Sequence, residues 1–229
     1  MAKANLSVLM EDLRGKAGNV VFKKTKDGTI VTPRVTPSNP KTAAQVLVRG
    51  ALTTSSRQWK NFATAQVTAW EAYADSNAPD YDSGINAFMK LGIKAILANG
   101  GSGTAPTTPP TTAFTGDTIK VNVAAGVGKL IFTANGANAT GVATELLIQP
   151  LKSKNRKPSS GAYKSGAYVS FVTGTLSRDV IVPVGFYAAG YRFVNLATGQ
   201  ASNPVYLTLP GPVGLSLEDN SAGKKAKAA

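Results

Sequence analysis

Arg14-Gly15-Lys16-Ala17-Gly18-Asn19-Val20-Val21-Phe22 runs through Lys26-Asp27-Gly28 into Thr29-Ile30-Val31-Thr32-Pro33-Arg34-Val35, and on into Thr36-Pro37-Ser38-Asn39-Pro40. Two blocks rich in β-branched residues flank Asp27-Gly28, a pair that predicts a hairpin turn. Gly15 and Gly18 point to a close backbone approach or a bulge before the first strand. Three prolines between 33 and 40 block helix and central-sheet pairing. Residues 1–40 therefore read as a basic β-hairpin followed by an extended, proline-stiffened arm. A lone two-stranded hairpin is marginal in water. Such an element needs a surface to lie on, and the surface is either its own helices or another molecule.

Outward from the arm, residues 41–98 read as three amphipathic helices. Asn39 or Ser38 is placed to cap the first, with Pro40 in its first turn. Ala44, Val48, Ala51, Leu52, Ser55, Trp59 and Phe62 fall on one helical face. Thr64 is expected to cap the second helix, whose inner side carries Val67, Trp70 and Ala74, and Asn77-Ala78-Pro79-Asp80 ends it. Ser83 opens the third, with Ile85, Phe88, Met89, Ile93, Ile96 and Leu97 inward and Asn99-Gly100-Gly101 closing it. At this spacing Trp59 and Trp70 are core residues rather than a ligand platform. Residues 99–113, rich in Gly, Pro and Thr, read as a linker that is flexible first and stiff after.

Residues 114–210 read as all-β. Seven short runs, 119–123, 129–133, 145–149, 167–172, 179–182, 190–194 and 204–209, are separated by Gly, Asn, Pro and Ser turns. That count and spacing match an Ig-like sandwich, and the last hairpin resembles that of a fibronectin type III-like module. A basic loop carrying Lys152, Lys154, Arg156 and Lys157 interrupts the domain, and residues 211–229 read as a flexible basic tail. The expected fold class is α+β: an N-terminal β-hairpin arm and a small helical bundle, followed by a C-terminal all-β Ig-like sandwich.

Composition narrows the chemistry. The chain has no Cys and no His. Disulfides, thiolate sites and Cys/His zinc are excluded, and so is the commonest general base. Neither a Gly-x-Ser-x-Gly elbow nor an EF-hand loop appears. Gly100-Gly101-Ser102-Gly103 lacks the lysine of a phosphate loop. The expectation is a non-enzyme with no cofactor. No run approaches the roughly 20 apolar residues of a membrane span, and the N-terminus lacks a signal-type apolar stretch. The net charge is +13, and residues 1–60 hold eleven of the 25 Lys/Arg against three of the twelve Asp/Glu, a balance of +8.

The string from Gly15 to Phe22, Arg34-Val35-Thr36-Pro37-Ser38-Asn39-Pro40, Thr42-Ala43-Ala44-Gln45 with Arg49, and Trp59 with Ala69-Trp70 is distinctive in combination. Over about residues 14–98 it resembles a family of uncharacterised proteins of tailed phages, prophages and environmental bacteria. Members pair a Gly-rich hairpin and a Pro-x-Asn-Pro arm with a helical segment, sometimes ending in an Ig-like domain. Lys23-Lys24 depart from the polar or aromatic residues common there. The resemblance implies a virion structural role: capsid decoration, head–tail junction or tail component, anchored by the N-terminal arm and helices with the Ig-like domain as a contact module, made in the host cytoplasm and partnered by other virion proteins in a homo- or hetero-oligomer. The residues read as the assembly arm are Lys16, Phe22, Lys23, Lys24, Arg34, Pro37, Asn39 and Pro40. A second class is a nucleic-acid-associated protein inside a capsid, with Lys16, Lys23, Lys24, Lys26, Arg34 and Lys41 on phosphates and Phe22 free to stack. Aromatics are not interleaved with the cations, which weighs against it. A third is a bacterial surface or adhesion module, disfavoured by the missing export signal.

Overall fold

The computed structural model describes residues 2–4, 14–25, 28–36, 38–153, 155–207 and 213. The chain is α+β and divides into two compact units, Met1–Thr42 and Ala43–Ala229.

The first unit is a four-stranded antiparallel sheet rather than a hairpin alone. Its strands are β1 (Ala2–Ala4), β2 (Gly15–Ala17), β3 (Val20–Thr25) and β4 (Gly28–Pro33), in the order β1-β4-β3-β2. The expected hairpin is its centre. Phe22 stands opposite Val31, and Thr25 opposite Gly28. The turn residues Lys26 and Asp27 lie outside the described residues, but this register puts Gly28 at the mouth of the turn. Gly18 makes neither a bulge nor a close approach. It begins a two-residue turn joining Ala17 to its partner Val20, with φ +57°, where a turn with glycine in its first central position is favoured. Gly15-Lys16-Ala17 escapes a strand reading because its residues have low strand propensity. β3 supplies the missing preference.

The second unit opens with α1 (Ala43–Lys60), α2 (Thr64–Ser76) and α3 (Gly84–Ala98). The first helix starts later than its capping pattern suggests. Lys41 takes a left-handed φ of 49°, so Pro40 belongs to the extended arm and not to the first turn. At α2 the cap position is Ala63, and the Gln66 side chain accepts from its backbone N–H at 3.0 Å. Thr64 is already helical. Ser83 caps α3 as expected, accepting from the Asn86 N–H. Trp59, Phe62, Trp70 and Phe88 form an aromatic cluster with ring centroids 5.0–5.6 Å apart, in tilted and edge-on contacts. α1 crosses α3 on small residues: a Cβ on Gly92 would stand 2.6 Å from Ala105 Cβ and 3.3 Å from Ser55 Oγ. The first two turns of α1 lie outside this core. Ala44, Val48 and Leu52, expected inside, are exposed, and so is Ile85 on α3. Periodicity marks a face as apolar but does not say how far its partner helix reaches.

The β part is an Ig-like sandwich. All seven expected strands form: β5 (Val121–Gly126), β6 (Lys129–Ala134), β7 (Val142–Leu151), β8 (Lys164–Val169), β9 (Ser177–Ile181), β10 (Phe186–Asn195) and β11 (Val205–Leu207). They make two antiparallel sheets, β5-β6-β9 and β11-β10-β7-β8. The fourth strand of the domain, β8, pairs with β7 rather than with β9, so it lies on the sheet opposite the one it occupies in an antibody constant domain. Val121, Leu130, Phe132 and Val180 from one sheet meet Leu146, Ala189, Tyr191 and Phe193 from the other in one core. Each fully buried apolar side chain of this size is worth about 1.5–3 kcal/mol.

β7 and β10 are buried on both faces. Residues 142–147 of β7 are buried without alternation, as are Ala188 to Tyr191 of β10. The inner face meets the other sheet, and α3 approaches β10 and β8 on the outer face, as happens to strands covered on both sides. Helices and sandwich are therefore layers of one unit. Residues 99–113, expected as a flexible linker, are tied down between them. Gln58 exchanges hydrogen bonds with the Ala105 backbone at 2.7 and 3.1 Å, and Gln200 Nε2 donates to Thr112 O at 3.0 Å. The loop after β10 closes the joint. Asn99 Nδ2 donates to Leu196 O at 3.0 Å, and Gly199 lies against the Leu91 carbonyl. On the same outer face Arg192 stands opposite Glu145 in register, its Nε 2.6 Å from Glu145 Oε2, with Glu145 2% exposed. Val213, assigned to the tail by a boundary at 210, is a buried core residue that exchanges backbone bonds with Gly185. A single valine beyond a Pro-Gly-Pro run has no periodicity to reveal it.

Candidate assembly surface

The side chains read as an assembly arm are carried by the first unit, where pairing register decides which of them share a face. Side chains alternate along a strand, and directly opposed residues point the same way. Gly15 faces Phe22, Ala17 faces Val20, Phe22 faces Val31, Val20 faces Pro33 and Lys24 faces Thr29. One face thus holds Ala17, Val20, Phe22, Val31 and Pro33, with Lys24 and Thr29 at its turn end. The other face holds Lys16, Val21, Lys23, Ile30 and Thr32, because Lys16 opposes Val21, Lys23 opposes Ile30 and Val21 opposes Thr32. The expected single cluster is split: Phe22 and Lys24 lie on the apolar face, Lys16 and Lys23 on the more cationic one.

The rest of the set continues along the chain. Arg34 leaves β4 exposed, and its backbone N–H donates to Asn19 O at 2.7 Å, which sets the direction of the arm. Asn39 and Pro40 are exposed on the extended stretch before Lys41, and Pro37 lies outside the described residues. Lys16, Lys23, Lys24 and Arg34 are all exposed, whereas Val20, Phe22, Ile30 and Val31 are only half-buried. Thr29 alone among the described residues of this unit is fully buried. Among its described residues the sheet is thus well paired in its backbone and buries few side chains.

Sequence reading missed Ala17, Val20, Val31 and Pro33 as members of this surface. The signal is faint because Val20-Val21-Phe22 and Lys23-Lys24 are runs, so period-two alternation does not show until the register is known. No group of His, Cys, Asp or Glu able to hold a metal ion occurs among the described residues, and no described helix is long and apolar enough to cross a membrane.

No family model matches the chain, and no curated protein matches it. Among solved structures, a Bacillus amyloliquefaciens CBM33 in complex with Cu(I) is similar at 18% identity, covering 71% of this chain and 94% of its own, with a TM-score of 0.26. A superposition that loose transfers neither fold nor chemistry. The assignment of an Ig-like sandwich stands on the strand order and shared core described above.

Proposed function

We propose that this chain is a non-enzymatic structural component of a tailed-phage particle, held in place by its N-terminal sheet and arm, with the helix-backed Ig-like unit as the contact or spacer module. The observation that carries the reading is that the described residues of the first unit bury little of their own apolar surface. Its central strands β3 and β4 are paired on both sides, yet Val20, Phe22 and Val31 share a face on which only Thr29 is fully buried among the described residues. A face of that kind gains about 25 cal/mol for every Å² a neighbour covers. The sequence resemblance over residues 14–98 supplies the class of particle. The exposed residues 34–36 and 38–40, outside any helix or strand, support strand addition to a neighbour's sheet edge, where backbone bonds give affinity and side-chain pockets give selectivity.

The test is deletion of residues 1–42, together with Phe22→Glu in the full chain. Truncated protein is expected to keep the unfolding transition of the second unit and to lose incorporation into particles, and Phe22→Glu to weaken incorporation without unfolding. Incorporation of the truncation at the level of the full chain removes the anchor role.

The exposed cations Lys16, Lys23, Lys24 and Arg34 favour a second reading, a basic protein on packaged nucleic acid. Binding to duplex DNA would then fall with salt at a slope of about 0.9 per phosphate neutralised. Absence of binding at low salt removes this alternative.

A further inference from the structure

The second unit contains a polar cavity of about 400 Å³ at the joint between α3 and the sandwich. Its walls come from the α2–α3 connection, one side of α3, β10 and the segment 200–204 that leads to β11. Three cations line it: Lys90 and Lys94, one turn apart on α3, and Arg192 from β10. Asp80 is the one carboxylate on the wall among the described residues. Glu145 sits behind the wall and is already engaged with the Arg192 Nε.

We propose that this cavity binds a small polar ligand through its oxyanion, a phosphate or carboxylate group, held by Lys94 and Arg192 and screened at the mouth by Lys90. The proposal rests on the cavity and does not depend on the assembly reading.

Lys94 lies deepest in this chemistry, between Lys90 on α3 and Arg192 on β10 in the cavity lining. It is half-buried and makes no ion pair with any described residue. Burial pushes its ammonium down to about 8, Arg192 and Lys90 push the same way, and Glu145 partly opposes them. A cation removed from water without a carboxylate partner is costly. An entering anion offsets part of this cost, because charge-assisted bonds are about twice as strong as neutral ones. Arg192 is held ready for such an anion, since its bond to Glu145 orients the guanidinium while the same residue lines the cavity. Lys90 lies over the Tyr81 ring, Nζ 4.6 Å from the centroid, which holds it at the rim. Gln200, Ser202 and Asn203 add polar groups beside Leu91, Phe114 and Pro204, so the body of the ligand meets hydroxyl and amide partners on one side and apolar surface on the other. The volume falls within the usual range for small-ligand sites, about 300–1,000 Å³.

Calorimetric titration of the full chain at pH 7 with inorganic phosphate, glucuronate and glucose, at matched ionic strength, tests this. The expected result is saturable binding of at least one anion with a Kd of about 1 mM or tighter, and no binding of glucose. Lys94→Met is expected to weaken that binding by about tenfold or more, and Lys90→Gln by less, while Lys120→Gln leaves it unchanged. Lys94→Met removes a half-buried charge and keeps the aliphatic stem, so it should stay folded, which tryptophan fluorescence checks. Binding of phosphate but not glucuronate, or the reverse, supports the proposal and identifies the headgroup. Failure of both anions to saturate up to about 50 mM, or equal affinity in Lys94→Met, overturns it.

Discussion

Replacing Gly199 by alanine tests whether helices and sandwich form one cooperative body. Gly199 has φ +72°, and a Cβ there would overlap the Leu91 carbonyl oxygen and stand 2.7 Å from its carbonyl carbon, against 3.4 Å for ordinary contact. The left-handed backbone costs an L-residue about 1–2 kcal/mol. Forcing the loop off α3 adds about 1–3 kcal/mol of overpacking. Together they predict a loss of about 2–5 kcal/mol, or about 4–20 °C in Tm for a unit of this size. Gly174→Ala is the control: its φ is +93°, but nothing lies within 4 Å of the new Cβ, so only the backbone cost of about 1–2 kcal/mol applies. Both tryptophans, Trp59 and Trp70, are in the helical layer. Fluorescence therefore reports the helices, and far-UV circular dichroism reports helices and strands together. In the parent protein the fluorescence curve should coincide with the circular dichroism transition of the second unit. In Gly199→Ala the fluorescence transition should move first. Equal Tm losses in Gly199→Ala and Gly174→Ala, or separate transitions for helices and sandwich in the parent protein, would show that the two layers do not unfold as one body.

Other perturbations probe the same joint and the sandwich. Arg192→Met leaves the 2%-exposed Glu145 without its cation and should cost about 3–5 kcal/mol in urea unfolding, with Glu145→Gln in the same chain recovering most of it. Lys94 titrates near 8 when folded and near 10.5 when unfolded. Between those values the unfolded chain binds more protons, so stability should rise with pH and the rise should vanish in Lys94→Met. Above pH 10 the sign reverses. Burial raises Tyr81 and Tyr168 to about 12, so the folded state then holds the extra protons, and Tm should fall from pH 10 towards 12. Asp117 joins the start of the β domain to Asn138 and Ala139. Burial pushes its carboxyl up, but hydrogen bonds from Ala139, Thr118 and Asn138 outweigh it and hold it below the usual range. Its contribution is present above the ordinary carboxylate pKa and lost as pH falls through the lower folded value. Asp117→Ala should therefore cost about 1.5–3 kcal/mol at neutral pH and flatten the acid limb of the Tm profile.

Local pattern reveals the elements well. The seven strand runs of the sandwich and the Ser83 cap rest on periodicities and side-chain chemistry that act within a few residues. The late start of α1 is hidden because the left-handed Lys41 carries no sequence signature: lysine is neither Gly nor Asn. The candidate surface is legible in part. Its cations and Phe22 stand out in the sequence, but Lys16 and Lys23 fall on the opposite face from Phe22 and Lys24, and a one-residue change in pairing would invert that division. The cavity is not legible at all, since Lys90 and Lys94 are far from Arg192 along the chain and meet it only because α3 docks on β10.

The order of elements, the lack of Cys and His and the concentration of positive charge in the first 60 residues are all readable along the chain, because propensity, composition and charge are local properties. Tertiary structure alone decided three things. The helices back the β11-β10-β7-β8 sheet, β2 and β1 widen the hairpin, and Lys94, without an ion pair among the described residues, meets an engaged arginine in one pocket. Each depends on surfaces brought together across long separations, where burial energy and register, rather than the preference of any one segment, choose the partner.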